Sequence, residues 1–97
     1  MTIKVIVELE SKPGKRAELK SLLESVVAKY GAGRPGFLGS MCYEVLDNTN
    51  ILVEIADWAS ADVRAAAMQE AMTSDAYAPL EQLLAAPFRA TVIRELS

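Results

Sequence analysis

The sequence contains no histidine among its 97 residues. Histidine is the usual general base near neutral pH, the commonest transition-metal ligand and a frequent axial ligand of haem. Its absence excludes a histidine-ligated haem and any serine or cysteine hydrolase that needs a histidine base. The acidic residues show no loop motif for magnesium or calcium. A metal-dependent enzyme is therefore disfavoured.

Cysteine, basic residues and long apolar runs are also scarce. The single cysteine, Cys42, excludes an intramolecular disulfide and a cysteine-rich zinc site, and it suits a reducing cytoplasm. The net charge of −3 and the scattered basic residues argue against nucleic-acid binding. No apolar run approaches the roughly 18 residues of a membrane span, and residues 1–10 lack the layout of a signal peptide. We expect a cytoplasmic protein that binds neither nucleic acid nor membrane.

Apolar residues, in contrast, are abundant, since 52% of the sequence is hydrophobic. A chain of this length has room for one domain, so residues 1–97 are expected to fold as a single unit. Such a small domain buries only about two-thirds of the surface of its unfolded chain. The apolar content exceeds what a small monomer readily hides, which favours an oligomer.

The hydrophobic periodicities predict the order strand, helix, strand, strand, helix, strand. A four-residue turn, "DNTN", is expected between the second and third strands. Ser60 is expected to cap the second helix, which "TSD" interrupts before a further segment near Asp75. The predicted elements are strand 2–10, helix 14–30, strand 37–46, strand 51–58, a broken helix from 60 to 86 and strand 88–96.

This order predicts an α+β fold of the ferredoxin-like split βαβ type, with helices on one face of a four-stranded antiparallel sheet. The other face of the sheet is then left uncovered. It must be partly apolar, because the helices cannot cover all of Ile3, Val5, Val7, Val53 and Ile55. Two such sheets that pack face to face would bury these residues, so we predict a homodimer through the open face.

Four segments of the sequence resemble the antibiotic biosynthesis monooxygenase (ABM) family. They are "VIVELESKPGKRAELKSLLESVV", "RPGFLGSMCYEVL", "VEIADWASADVRAAAM" and "RATVIREL", which together span nearly the whole chain. The resemblance implies a ferredoxin-like fold that pairs into a dimeric α+β barrel. The fold expected from the periodicities is the same.

The resemblance also implies a choice among several chemistries. Some ABM members oxidise anthrone- or hydroquinone-like substrates to quinones without a cofactor, others degrade haem bound through a histidine, and some relatives isomerise small phosphorylated molecules. Many members carry a histidine nine residues after the tryptophan, where this chain has Ala67. The resemblance therefore favours the cofactor-free branch, in which the partners are molecular oxygen and a small aromatic substrate.

Strand alternation places Glu54 and Trp58 on the same face of the third strand. The resemblance implies that Trp58 is a pocket wall or an indole donor. It also implies an asparagine at position 54 in polyketide-oxidising relatives, where this chain has Glu54. Desolvation between Leu52 and Ala56 would raise the pKa of Glu54 and make it a base for a phenolic proton. The alternative is that Glu54 forms half of an ion pair.

Five other residues are candidates for the same site. Tyr43 is a candidate catalytic residue through its hydroxyl group, although packing alone explains a tyrosine in mid-strand. Arg64 could reach an anionic substrate or could lie on a solvated helix face. Met68, Met72 and Tyr77 could line a pocket for a flat ligand or could fill the core.

Two functions therefore stay open at the level of sequence. The first is a cofactor-independent monooxygenase that acts on a phenolic, quinol or anthrone-like aromatic. The second is a non-catalytic dimeric module that binds a small hydrophobic ligand. Convergence of Tyr43, Glu54, Trp58 and Arg64 on one cavity favours the enzyme, whereas a Glu54 ion pair at the dimer interface favours the module.

Overall fold

The computed structural model describes residues 2–31 and 33–96. No helix in these two segments is long and apolar enough to cross a membrane. The helices and strands are β1 Ile3–Glu10, α1 Arg16–Tyr30, β2 Phe37–Val45, β3 Asn48–Trp58, α2 Ala61–Thr73, α3 Ala78–Glu81 and β4 Arg89–Ile93.

The four strands form one antiparallel sheet in the order β2-β3-β1-β4. This topology confirms the predicted ferredoxin-like fold. β1 and β3 occupy the centre of the sheet and are hydrogen-bonded on both sides, whereas β2 and β4 are edge strands. The helices cover one face, and every second residue of β1 and β3 points towards them.

Two clusters of buried side chains fill the space between this face and the helices. In the first, Leu9 of β1 packs with Leu19 of α1 and Leu80 of α3, and each of the three is at most 1% exposed. In the second, Val5 and Trp58 of the sheet pack against Ala67 of α2. Burial of a leucine side chain of this kind contributes about 2 kcal/mol to stability.

The opposite face of the sheet carries Ile6, Met41, Tyr43, Val53 and Ile55. The strand registers place them together, because Ile6 and Met41 both pair with Ile55, and Tyr43 pairs with Val53. All five are at least partly exposed in the single chain. Face-to-face pairing of two chains through this surface stays a prediction.

Several predicted boundaries differ from the structure. α1 begins at Arg16, two residues later than predicted, because Gly14 has a φ of +76° that no helix tolerates. β3 begins at Asn48, within the predicted turn, and the Asn48 side chain accepts a hydrogen bond from the backbone amide of Asn50. β4 covers only the middle of the predicted last strand. Asp75 does not start a helix, since its φ is +54° and α3 begins at Ala78.

The start of α2 is held by its cap and by the loop that precedes β2. The Ser60 hydroxyl accepts a hydrogen bond of 3.2 Å from the amide of Val63, which confirms the predicted cap. Gly36, with a φ of +91°, lies directly against Val63, and its carbonyl accepts a bond of 2.7 Å from the amide of Ala59. These contacts bring Trp58, at the end of β3, beside α2.

Candidate functional site

A cavity of about 80 Å³ lies between the covered face of the sheet and the helices. Its walls come from β1, β3, the C-terminal half of α1, α2, α3 and the start of β4. Most of the lining side chains are aliphatic or aromatic. Four of the predicted site residues with polar groups reach it: Glu54, Trp58, Arg64 and Tyr77.

Glu54 is the buried carboxylate of this cavity. It lies in the middle of β3, opposite Val7 of β1 and Cys42 of β2, and is 7% exposed. Its Oε2 atom has no hydrogen-bond partner among residues 2–31 and 33–96. Burial among apolar neighbours disfavours the charged form and raises the pKa of Glu54. A raised pKa is what a carboxylate needs to accept a proton from a phenol near neutral pH.

The structure provides no ion pair for Glu54 within residues 2–31 and 33–96. No lysine or arginine in this part of the chain lies within ion-pair distance of its carboxylate. Its side chain also points to the helices, away from the open face of the sheet. A dimer that formed through the open face would therefore not supply the missing partner at that interface.

The Glu54 carboxylate also affects the pKa of the neighbouring Cys42 thiol. Its thiol is only partly buried, and its pKa is raised by burial and then by the carboxylates of Glu54 and Glu24, with Lys20 opposing. A thiol in this environment is protonated and weakly nucleophilic. The expectation that Cys42 has a structural role is consistent with its packing against the first core cluster.

Trp58 forms the wall of the cavity at one end. It is 4% exposed, and its ring meets the ring of Phe37 edge to face, with centroids 4.9 Å apart. The strand register pairs these two residues directly. This contact fixes the plane of the indole, because edge-to-face packing restrains both rings.

Tyr77 and Met68 close another side of the cavity. The Tyr77 hydroxyl donates a hydrogen bond of 3.2 Å to Met68 Sδ, and the Tyr77 ring packs on Phe88 with centroids 5.6 Å apart. The pKa of Tyr77 is raised by burial and then by Glu54, whereas Arg64 acts to lower it. The Tyr77 hydroxyl is therefore within electrostatic range of both charged side chains of the cavity.

Arg64 is a half-buried cation in the first full turn of α2. Among the residues that the structure describes, no carboxylate lies within ion-pair distance of it. Arg34 provides a contrast, because its guanidinium pairs with Glu70 and the hydrogen bond to this carboxylate raises the pKa of Arg34. Arg64 is thus available to a ligand in a way that Arg34 is not.

Two predicted site residues lie outside the cavity, and the predicted set is corrected accordingly. Tyr43 projects from the opposite face of the sheet, is 46% exposed, and its hydroxyl lies 3.8 Å from Met41 Sδ. Met72 is 69% exposed, because α2 turns Ala67 and Ala71 towards the sheet and Met72 away from it.

Other lining residues had not been assigned to the site from the sequence. Tyr30 lies on the predicted apolar stripe of α1, and Phe37 pairs with Trp58, so a correct strand register would have found it. Phe88 precedes β4 and has no local signal for a site. Within residues 2–31 and 33–96 there is no group of three or more Cys, Asp or Glu placed to hold a metal ion.

The buried carboxyl of Glu54 predicts a pH dependence of stability. Its pKa in the folded chain is raised above the ordinary value of 4.5, so the folded state keeps this proton at pH values where the unfolded state has lost it. The stabilising contribution is complete below the unfolded pKa and is lost as the pH rises through the folded one. The slope in that interval is at most about 1.4 kcal/mol per pH unit.

This dependence can be measured by urea denaturation between about pH 4 and about pH 8. We expect the free energy of unfolding of the wild type to fall with rising pH relative to that of Glu54→Gln, which has no proton to lose. Parallel curves for the two proteins would show that Glu54 titrates normally in the folded chain.

No protein-family model matches the sequence, and no curated protein matches it. Solved structures, however, match its fold over almost the whole chain. A conserved protein from Methanosarcina mazei is 19% identical, with a TM-score of 0.85 over 99% of this chain and 94% of its own. SnoaB, a cofactor-independent oxygenase from Streptomyces nogalater, is 20% identical, with a TM-score of 0.83 over 99% and 94%.

A third structure, from Nitrosomonas europaea, carries the provisional name antibiotic biosynthesis monooxygenase. It is 16% identical to this chain, and the match has a TM-score of 0.83 over 98% of this chain and 90% of its own. The TM-scores and coverages of these three matches establish a common fold. The resemblance first noted in the sequence thus extends to three dimensions, and the chain has the ferredoxin-like fold of proteins named antibiotic biosynthesis monooxygenases.

Proposed function

We propose that the chain is a cofactor-independent monooxygenase that oxidises a phenolic, quinol or anthrone-like aromatic with dioxygen in the cavity between sheet and helices. The observation that carries this proposal is the Glu54 carboxylate, which is buried in an apolar cavity and whose Oε2 atom has no partner in the part of the chain that the structure describes. The cofactor-independent oxygenase SnoaB, which shares the fold, supports the same assignment.

In the proposed reaction, Glu54 accepts a proton from a phenolic hydroxyl group of the substrate. The resulting phenolate transfers one electron to dioxygen, and the two radicals combine to form a carbon–oxygen bond at the ring. Glu54 returns its proton to the outer peroxide oxygen. The ring carbon then loses its hydrogen as a proton while the oxygen–oxygen bond breaks, so that hydroxide and this proton leave together as water and the ring carbon becomes a carbonyl. A quinol thereby gives a hydroxyquinone and water, and the substrate supplies all four electrons.

The remaining side chains of the cavity assist by position and by exclusion of water. Trp58, held by Phe37, provides a flat wall that orients the ring. The aliphatic lining keeps water away from the radical pair and strengthens electrostatic interactions inside the cavity.

The alternative is a non-catalytic module that binds a small hydrophobic ligand. A module for a purely hydrophobic ligand needs the apolar walls but has no use for an unpartnered carboxylate, whose burial opposes folding. Glu54 therefore favours the enzyme over the module.

Oxygen uptake by the metal-stripped protein with a panel of hydroquinones and anthrones tests the proposal. We expect uptake above the spontaneous rate, with kcat/KM about tenfold lower in Trp58→Phe, since loss of the indole removes about 1.4 kcal/mol of orientation and hydrogen bonding. Tyr43→Phe, on the open face, is the control and should match the wild type. Binding of a ring compound without any uptake would instead support the module.

A further inference from the structure

Two polar side chains of the cavity lack a partner among the residues that the structure describes. Glu54 Oε2 forms no hydrogen bond, and Arg64 has no carboxylate within ion-pair distance. They line the same cavity and do not pair with each other. An unsatisfied polar group is stabilised when a ligand supplies what is missing, here a hydrogen-bond donor at Glu54 and an anion at Arg64.

A single small ligand can reach both groups. Glu54, Arg64 and Tyr77 all line this one small cavity, which places the carboxylate and the guanidinium around the same space. The rest of the lining is largely apolar and offers no other cation to an anionic group. The ligand therefore needs a hydroxyl group and an anionic group at two separate points on an apolar body.

The size of the cavity favours a body of one ring. An engineered apolar cavity of about 150 Å³ holds a benzene molecule. At about 80 Å³, this cavity is smaller, so a single ring needs some adjustment of flexible side chains such as Met68. A three-ring anthrone would need a much larger rearrangement of packed helices and sheet, so a single ring fits this cavity better.

We propose that the cavity selects a single-ring phenol or quinol that bears a carboxylate, with the hydroxyl at Glu54 and the carboxylate at Arg64. The assignment of the hydroxyl as the reacting group rests on the proposed function, whereas the requirement for a carboxylate does not. A planar guanidinium matches a carboxylate through two parallel hydrogen bonds, and a carboxylate is smaller than a phosphate.

The test is calorimetric titration, without oxygen, of 2,5-dihydroxybenzoate and of 2,5-dihydroxybenzamide, which has nearly the same shape and no charge. We expect the wild type to bind the benzoate at least about tenfold more tightly than the benzamide. Arg64→Gln should bind the two compounds equally, and Arg64→Lys should recover part of the preference. Arg16→Gln, on the surface of α1 and outside the cavity, should keep the full preference.

The outcomes separate this inference from the proposed function. Equal binding of the two compounds by the wild type, absence of binding, or a preference that survives Arg64→Gln would overturn the inference. Oxygen uptake with an uncharged quinol alone would overturn it as well and leave the oxygenase intact. Selective binding of the benzoate without oxygen uptake would support an acidic ligand and contradict the proposed oxygenase function. Melting curves of the Arg64 variants are the check that these variants are folded.

Discussion

Replacement of Glu54 by glutamine is expected to lower kcat/KM for oxidation of a quinol by about a hundredfold to ten-thousandfold, the usual contribution of a positioned general base. The amide has nearly the shape of the carboxyl group but cannot accept the phenolic proton. At the same time the variant should be as stable as the wild type at neutral pH or more so, because an unpartnered buried acid is removed. Loss of activity together with retained or increased stability distinguishes a catalytic group from a structural one.

Glu44→Gln is the matched control for this experiment. Glu44 is a glutamate of the adjacent strand β2, but its side chain is 64% exposed and pairs with Arg16. Its replacement should leave kcat/KM unchanged and alter stability by less than about 1 kcal/mol, as is usual for a surface ion pair. If Glu54→Gln kept the oxygen uptake of the wild type, Glu54 would not be the base.

Replacement of Gly36 by alanine is expected to lower the free energy of unfolding by about 3 kcal/mol. A Cβ atom at this position would lie 2.5 Å from Val63 Cγ1, and the φ of +91° is itself unfavourable for alanine. Because small domains have only about 5–15 kcal/mol of stability, this loss is large. Urea denaturation followed by circular dichroism measures it.

Gly33→Ala separates the two causes. Gly33 has a similar φ of +83°, but a Cβ atom there would meet nothing within 4 Å. Its replacement should therefore reveal the backbone strain alone, about 1 kcal/mol. The double variant Gly36→Ala/Val63→Ala should lose less stability than the sum of its single variants, since the clash is removed. Equal losses for Gly33→Ala and Gly36→Ala would mean that contact with Val63 is unimportant.

The sequence was sufficient to predict the fold and the centre of the candidate site. Period-two alternation placed Glu54 and Trp58 on one strand face, and the structure has them there. The stripe of apolar residues along α1 identified the helix that covers that face. These predictions succeeded because they depend only on local periodicity, which the backbone geometry of strands and helices fixes.

Tyr43 shows why the rest of the site could not be predicted. A four-residue turn at 47–50 would pair Tyr43 with Glu54 and put both on the covered face. In the structure the turn is shorter, an irregularity follows Glu44, and Tyr43 pairs with Val53 instead. A shift of one residue sends a side chain to the other face of the sheet. The detail of one turn thus decides whether a tyrosine belongs to the cavity.

Phe88 could not be predicted for a different reason. It lies outside the regular elements, and its place at the cavity depends on the route of the chain from α3 to β4 and on contact with Tyr77. No local pattern encodes such a contact between distant segments. The same holds for Arg64, whose lack of an ion-pair partner in the described part of the chain depends on how distant segments are arranged in space.

Because of the strand order, some walls of the cavity are held more firmly than others. Glu54 and Trp58 belong to β3, which is hydrogen-bonded on both sides, whereas Ala90 belongs to β4, a five-residue edge strand with every residue exposed in the single chain. Local opening requires least free energy where few buried contacts hold a segment. Transient fraying of β4 would therefore admit a ligand or release a product while the wall that carries Glu54 stays in register.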